Sequence, residues 1–151
     1  PLLQKLKSAY LIWFSYYQEL PKLHRYTLGQ RVDELFIASI ESVAQASFLP
    51  KTEKQPYVRL AIRKVDTLKI LLLVLWETKS LDNSKYGHLS RHVDEIGKML
   101  GGWNGQLGKQ NSLTNKAGEN EILAADEHPA IVVVPPVVRV TVVGVEPATV
   151  V

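Results

Sequence analysis

The sequence predicts an all-α chain, an antiparallel up-down-up-down four-helix bundle, followed by a valine-rich, β-prone tail. Three observations carry that prediction. Apolar residues recur at spacings of three and four through four successive segments. The breaks between those segments are short and marked by proline or by polar runs. The helical periodicity then ends after Trp103, where the composition turns to Gly, Asn and Gln.

At 151 residues the chain is long enough for one domain with a substantial core and too short for two ordinary ones. Its 46% hydrophobic and 22% charged residues are a soluble globular composition. The absence of cysteine excludes a disulfide framework and a thiolate metal site, and it suits a reducing, cytoplasmic setting. The opening PLLQKLKSAYLIWF lacks a small-residue cleavage pattern, so it does not read as a signal peptide. The run Ile70 to Trp76 falls far short of the ~20 residues a membrane span needs. Net charge is +3, unevenly shared: residues 1–103 are in cationic surplus and residues 104–151 in acidic surplus.

The first helix is expected over Leu2 to Leu20. Leu3, Leu6, Tyr10, Trp13 and Tyr17 trace one face, and Ile12, Phe14 and Tyr16 widen it beyond a single packing surface. That excess points to a crowded bundle or to burial against another subunit. Pro21 stops the helix, lacking an N–H and crowding the preceding turn. The second helix is expected from His24 to about Phe48, with Leu28, Val32, Leu35, Ser39, Val43 and Ala46 as its seam. Gly29 inside it costs about 1 kcal/mol relative to alanine, which implies a close backbone approach or compensating tertiary contacts. After the turn LPKTEKQ, Pro56 opens a third helix running to about Lys79, with a seam of Ala61, Val65, Leu68, Leu72 and Leu75.

The fourth helix follows Ser80 to Ser84, with Asp82 or Ser84 as its cap. Leu89, Val93, Ile96 and Leu100 form its stripe, and Gly101 and Gly102 are read as its stop. On this reading residues 1–103 are the bundle, 104–121 a linker, and 122–151 a valine-rich extension split by Pro135 and Pro136. The extension could pack on the bundle, add strands to another chain, or be a disordered or foreign addition.

No catalytic set is legible. His88 and His92 stand four apart on one helix, but no third ligand follows at a recognisable spacing, and neither a metal nor any other cofactor is expected. The carboxylates Asp33, Glu34 and Glu41, and Asp94 with Glu95, read as solvated or paired with neighbouring cations. There is no nucleophile elbow and no phosphate loop. The positive signal is cations in aromatic company: Lys22, His24, Arg25 and Tyr26 at the start of the second helix, and Lys51, Lys54, Tyr57, Arg59, Arg63 and Lys64 around the start of the third. Lys and Arg groups of this kind give sequence-independent, salt-sensitive contacts to phosphates.

Two segments, LPKLHRYTLGQRVDEL at 20–35 and LSRHVDEIGKMLGGW at 89–103, carry a resemblance. They are similar to the accessory variability determinant (Avd) proteins of diversity-generating retroelements. The related bundle proteins encoded in rRNA intervening sequences share that fold. The resemblance covers about residues 1–103; the valine-rich tail departs from the family pattern. It implies a non-catalytic accessory protein, a homopentamer, whose partners are a reverse transcriptase and its template RNA or the DNA or RNA/DNA hybrid made from it. The alternative is a structural oligomer of the rRNA intervening-sequence type that recruits a protein. On charge, Arg25, Arg31, Lys51, Lys54, Arg59, Arg63 and Lys64 are the residues expected to face nucleic acid or polymerase. Trp13, Tyr17 and Trp76 are the expected oligomer contacts.

Overall fold

The computed structural model describes residues 1–124, with side chains through 119. The described residues are all-helical: α1 (Leu2–Tyr17), α2 (Lys22–Arg25), α3 (Leu28–Phe48), α4 (Gln55–Glu77) and α5 (Asn83–Ala124). The four long helices pack on one another; α2 is a single turn. Two units divide the chain, Pro1–Leu113 and Thr114–Val151, and in the second the described residues are the end of α5.

The core is built from the stripes the spacing marks out. Leu6, Ala9 and Trp13 of α1, Val32, Leu35, Phe36, Val43 and Ala46 of α3, Val58 to Leu75 at helical spacing on α4, and Leu89, Val93, Ile96 and Leu100 of α5 are all at most 1% exposed. Each fully buried Leu, Ile or Phe is worth about 1.5–3 kcal/mol relative to solvent. Ser39 and Ser42 are buried at no cost in unmade hydrogen bonds, because their hydroxyls donate to the carbonyls of Leu35 and Ala38, each at 2.8 Å.

Contacts between helices follow a consistent order. On α1 and α3, Trp13 stacks on Phe36 with centroids 6.1 Å apart and donates from Nε1 to Asp33 Oδ1 at 3.2 Å, while Tyr10 meets the Phe36 ring edge-on. On α1 and α5, Lys5 pairs with Glu95, Tyr16 with His88 and Glu19 with Lys85, so residue numbers rise along one helix as they fall along the other. The same holds for α4 and α5, where Gln55 bonds Asn104 and Asn111, Lys69 pairs with Asp94, and Trp76 stacks on Tyr86.

The second helix expected from His24 is divided. Pro21 O accepts from the N–H groups of His24 and Arg25, which closes the single turn α2. Thr27, at φ −120° and ψ −96°, then breaks the helical path before Leu28. Gly29 explains why the break is tolerated. A Cβ there would lie 2.8 Å from Leu20 Cδ1, 2.9 Å from the His24 carbonyl and 3.0 Å from the Tyr17 ring. The chain folds back on itself at a point where only glycine fits.

The expected stop at Gly101 and Gly102 is corrected. Helix α5 continues to Ala124, and the stretch 104–121, read as a linker, is helical. No described glycine takes a positive φ, so neither glycine acts as a left-handed cap. Two physical reasons account for the continuation. Leu107 lies seven residues beyond Leu100 and is buried, so the apolar stripe carries on past the glycines. The residues from Asn104 to Ala124 also include no proline. At the other end of α5, Asp82 is the cap, accepting from the Lys85 N–H at 2.8 Å. Of the expected valine-rich extension over 122–151, residues 125–151 lie outside the described residues.

Candidate nucleic-acid interface

Helix α4 supplies the centre of the candidate surface. Its buried stripe fixes the opposite face, where Arg59, Arg63, Asp66, Ile70, Leu73 and Glu77 recur at spacings of four, three, four, three and four and are all exposed. That face opens with the basic Arg59 and Arg63, turns apolar at Ile70 and Leu73, and carries the acidic Asp66 between them and Glu77 at its end. The side chains of Arg59 and Arg63 make no ion pair or hydrogen bond, so both guanidiniums keep their donors for a ligand. Lys64 is half-buried on the flank of the same turn.

The turn before α4 adds two lysines with different roles. Lys51 is exposed and unpaired. Lys54 is engaged internally: its Nζ donates to the Ala46 carbonyl at 2.7 Å and lies 5.9 Å from the centroid of the Trp103 ring. The free carbonyls of a helix C-terminus attract a cation, so Lys54 closes α3 and its ammonium is largely committed.

The bonds from Gln55 to Asn104 and Asn111 bring the start of α4 against the second half of α5. One further exposed, unpaired cation, Lys109, thereby joins the end of the bundle that holds Lys51, Arg59 and Arg63. The sequence reading missed Lys109, because it ended the helix at Gly101.

Arg25 and Arg31 lie at the opposite end. The Arg25 guanidinium is half-buried, donates from Nη2 to the Leu20 carbonyl at 3.0 Å, and leaves a buried Nε without a partner. Tyr17 OH donates to the Arg25 carbonyl at 3.0 Å, so this residue fastens the α1–α2 corner. Arg31 is exposed and pairs with Glu34 at 3.2 Å. The structure thus separates these two arginines from the α4 set.

Trp13, expected at an oligomer interface, is corrected. It is 0% exposed and belongs to this chain's own core, where its ring lies between Phe36 and Tyr17. The excess apolar residues of α1 are resolved by Trp13 turning inward while Leu11, at 66% exposed, and Phe14, at 46%, remain outside. Tyr17 is half-buried. Trp76 is 37% exposed, donates to Asn83 Oδ1 at 2.7 Å and stacks on Tyr86.

Several of the remaining titratable groups are in pairs. His88 and His92 meet edge to face with ring centroids 5.0 Å apart, and His88 Nδ1 bonds the Tyr16 hydroxyl at 3.0 Å. Among the described residues no three His, Asp or Glu side chains gather as metal ligands do. The Glu95 carboxyl is held below its ordinary range by its hydrogen bond with the Lys5 ammonium and by that group's charge. The Lys85 ammonium is raised by its bond to Glu19. The Tyr10 hydroxyl is raised first by burial and then by Asp33. Among the described residues no helix is long and apolar enough to cross a membrane. No family model, curated protein or solved structure matches the chain.

Proposed function

We propose that the chain is a non-catalytic, cytoplasmic accessory protein of a diversity-generating retroelement. In that role it assembles with copies of itself and binds the reverse transcriptase together with its template RNA or the cDNA. The resemblance of 20–35 and 89–103 to the Avd proteins motivates the reading. The observation that carries it is the set of unpaired cations at one end of the bundle, Lys51, Arg59, Arg63 and Lys109. Cations left without carboxylate partners are available to phosphates, and their binding releases counterions. An antiparallel up-down-up-down arrangement is supported by the opposed order of the α1–α5 and α4–α5 contacts. It is also what places the start of α4 beside the second half of α5.

A pentamer, as the resemblance implies, would bury the outward apolar residues Leu11, Phe14 and Ile70. Those three exposed side chains also favour the second reading, a structural oligomer that recruits a protein.

The test is RNA binding by the full chain, followed by fluorescence anisotropy from 50 to 200 mM salt. The reading expects log affinity to fall with log salt, with a slope of about −0.7 per phosphate neutralised on a single strand. Reversing Arg59 and Arg63 to Glu should weaken binding and flatten that slope by about 1.4. Binding that ignores salt, or a double reversal that binds as the parent does, would defeat it. Co-purification with the reverse transcriptase and mass in solution then separate the accessory role from the scaffold role.

A further inference from the structure

The basic end of the bundle carries a feature that charge alone does not require. Phe48, the last residue of α3, is 89% exposed, the most exposed large apolar side chain among the described residues. The C-terminal turn of a helix whose neighbours Val43 and Ala46 are fully buried could have ended on a polar group at no packing loss. Beside it, Ser47 lines an open apolar pocket of about 330 Å³ with Leu2, Leu3, Val43, Met99 and Trp103. Lys54, bonded to the Ala46 carbonyl, holds its ammonium over the ring of Trp103, which also lines that pocket. Three residues after Phe48 stands the free ammonium of Lys51, and α4 brings Arg59 to the same end.

An exposed aromatic face beside unpaired cations is what an unpaired nucleic-acid strand requires. Its bases have free π faces to stack, and its phosphates need positive charge alongside. A duplex offers only the phosphates, because its bases are already stacked on one another. A protein partner would use Phe48 but has no need of a cluster of uncompensated cations. We infer that this end of the bundle selects single-stranded nucleic acid. A base stacks on Phe48, and phosphates lie on Lys51 and Arg59. The inference rests on the nucleic-acid reading above and adds which form of nucleic acid is bound and how.

The experiment uses the full chain and two labelled probes, a 20-nucleotide oligouridylate and a 20-base-pair blunt RNA duplex of mixed sequence, at one fixed salt concentration. The strand should bind at least about ten-fold more tightly than the duplex. Phe48→Ala should weaken strand binding by about five-fold or more while leaving duplex binding and the salt slope unchanged, since stacking on one base is lost and no charge is removed. Phe48→Trp should restore strand binding, because the π face returns. Phe48 is too exposed for either change to threaten folding, and far-UV circular dichroism checks this. Equal binding of strand and duplex, or a Phe48→Ala chain that holds the strand as the parent does, would overturn the inference. In that event a surviving effect of the Arg59 and Arg63 reversals leaves the broader reading standing. A Phe48→Ala chain with a lowered mass in solution would also overturn it, since Phe48 would then be a contact between copies.

Discussion

Glycine to alanine is the simplest change a helix can undergo, and this chain contains two positions where it should act with opposite sign. At Gly29 the added methyl group meets Leu20 Cδ1 at 2.8 Å, the His24 carbonyl at 2.9 Å and the Tyr17 ring at 3.0 Å. The leucine can rotate away, but the carbonyl cannot. His24 is held in the α2 turn by its own N–H bond to Pro21 O at 3.0 Å, and its carbonyl accepts from the Thr27 N–H at 3.3 Å. Alanine gains about 1 kcal/mol in helix propensity, and overpacking against a fixed group costs about 1–3 kcal/mol or more. Because the 2.9 Å contact is with a backbone carbonyl, the cost falls in the upper part of that range, and Gly29→Ala should destabilise the chain by about 1–2 kcal/mol. For a chain near this length that lowers Tm by about 2–4 °C per kcal/mol.

Gly102 is the counterpart. It lies inside α5, no described glycine has a positive φ, and nothing stands within 4 Å of the Cβ it would gain. Gly102→Ala should therefore stabilise by about 0.5–1 kcal/mol. Urea denaturation at 25 °C, followed by circular dichroism at 222 nm, reads both. A Gly29→Ala midpoint at or above the parent's would refute the account of the α1–α2–α3 corner. A lowered midpoint for Gly102→Ala would show that the helix does end there and that the continuous α5 is wrong.

Three further outcomes follow from the packing. Trp13→Ala should cost about 3–5 kcal/mol, the range for emptying a buried aromatic site, and the loss should appear in the chain's own unfolding; a variant that only changes mass in solution would return Trp13 to an interface. Asp82→Ala removes the side chain that accepts from the Lys85 N–H and should cost about 1 kcal/mol, with an unchanged urea midpoint counting against the cap. Glu95 is depressed by its hydrogen bond with Lys5 and by that ammonium's charge, so the stability it adds is present above the ordinary glutamate range and is lost as pH falls through the lower folded value. Both partners are half-exposed, so the effect is small. Lys5→Ala should nevertheless flatten the decline in Tm on the acid side of that range, and parallel acid limbs for parent and variant would remove the pair from the account.

The sequence by itself determined which faces are buried. The α3 and α4 seams, the α5 stripe from Leu89 to Leu100 and the Asp82 cap could all be read from spacing and residue type, because helical burial depends on a local period that the chain states outright. Gly29 likewise announced a close approach through its cost, although not what approaches it. The tertiary structure decided three other things. It divided the second helix at Thr27, since the break depends on how Gly29 packs against Leu20 and His24. It continued α5 past Gly101 and Gly102, since the burial of Leu107 outweighs the local preference of two glycines to end a helix. And it sorted the cations. Lys51, Arg59, Arg63 and Lys109 share one end of the bundle, Lys54 closes α3, and Arg25 and Arg31 lie elsewhere, because the position of a surface charge is fixed by the fold and leaves no periodic trace in the sequence. Two exposed aromatics stand near those cations: Tyr57, which the sequence set beside them, and Phe48, whose exposure depends on where α3 ends and on what packs beyond it.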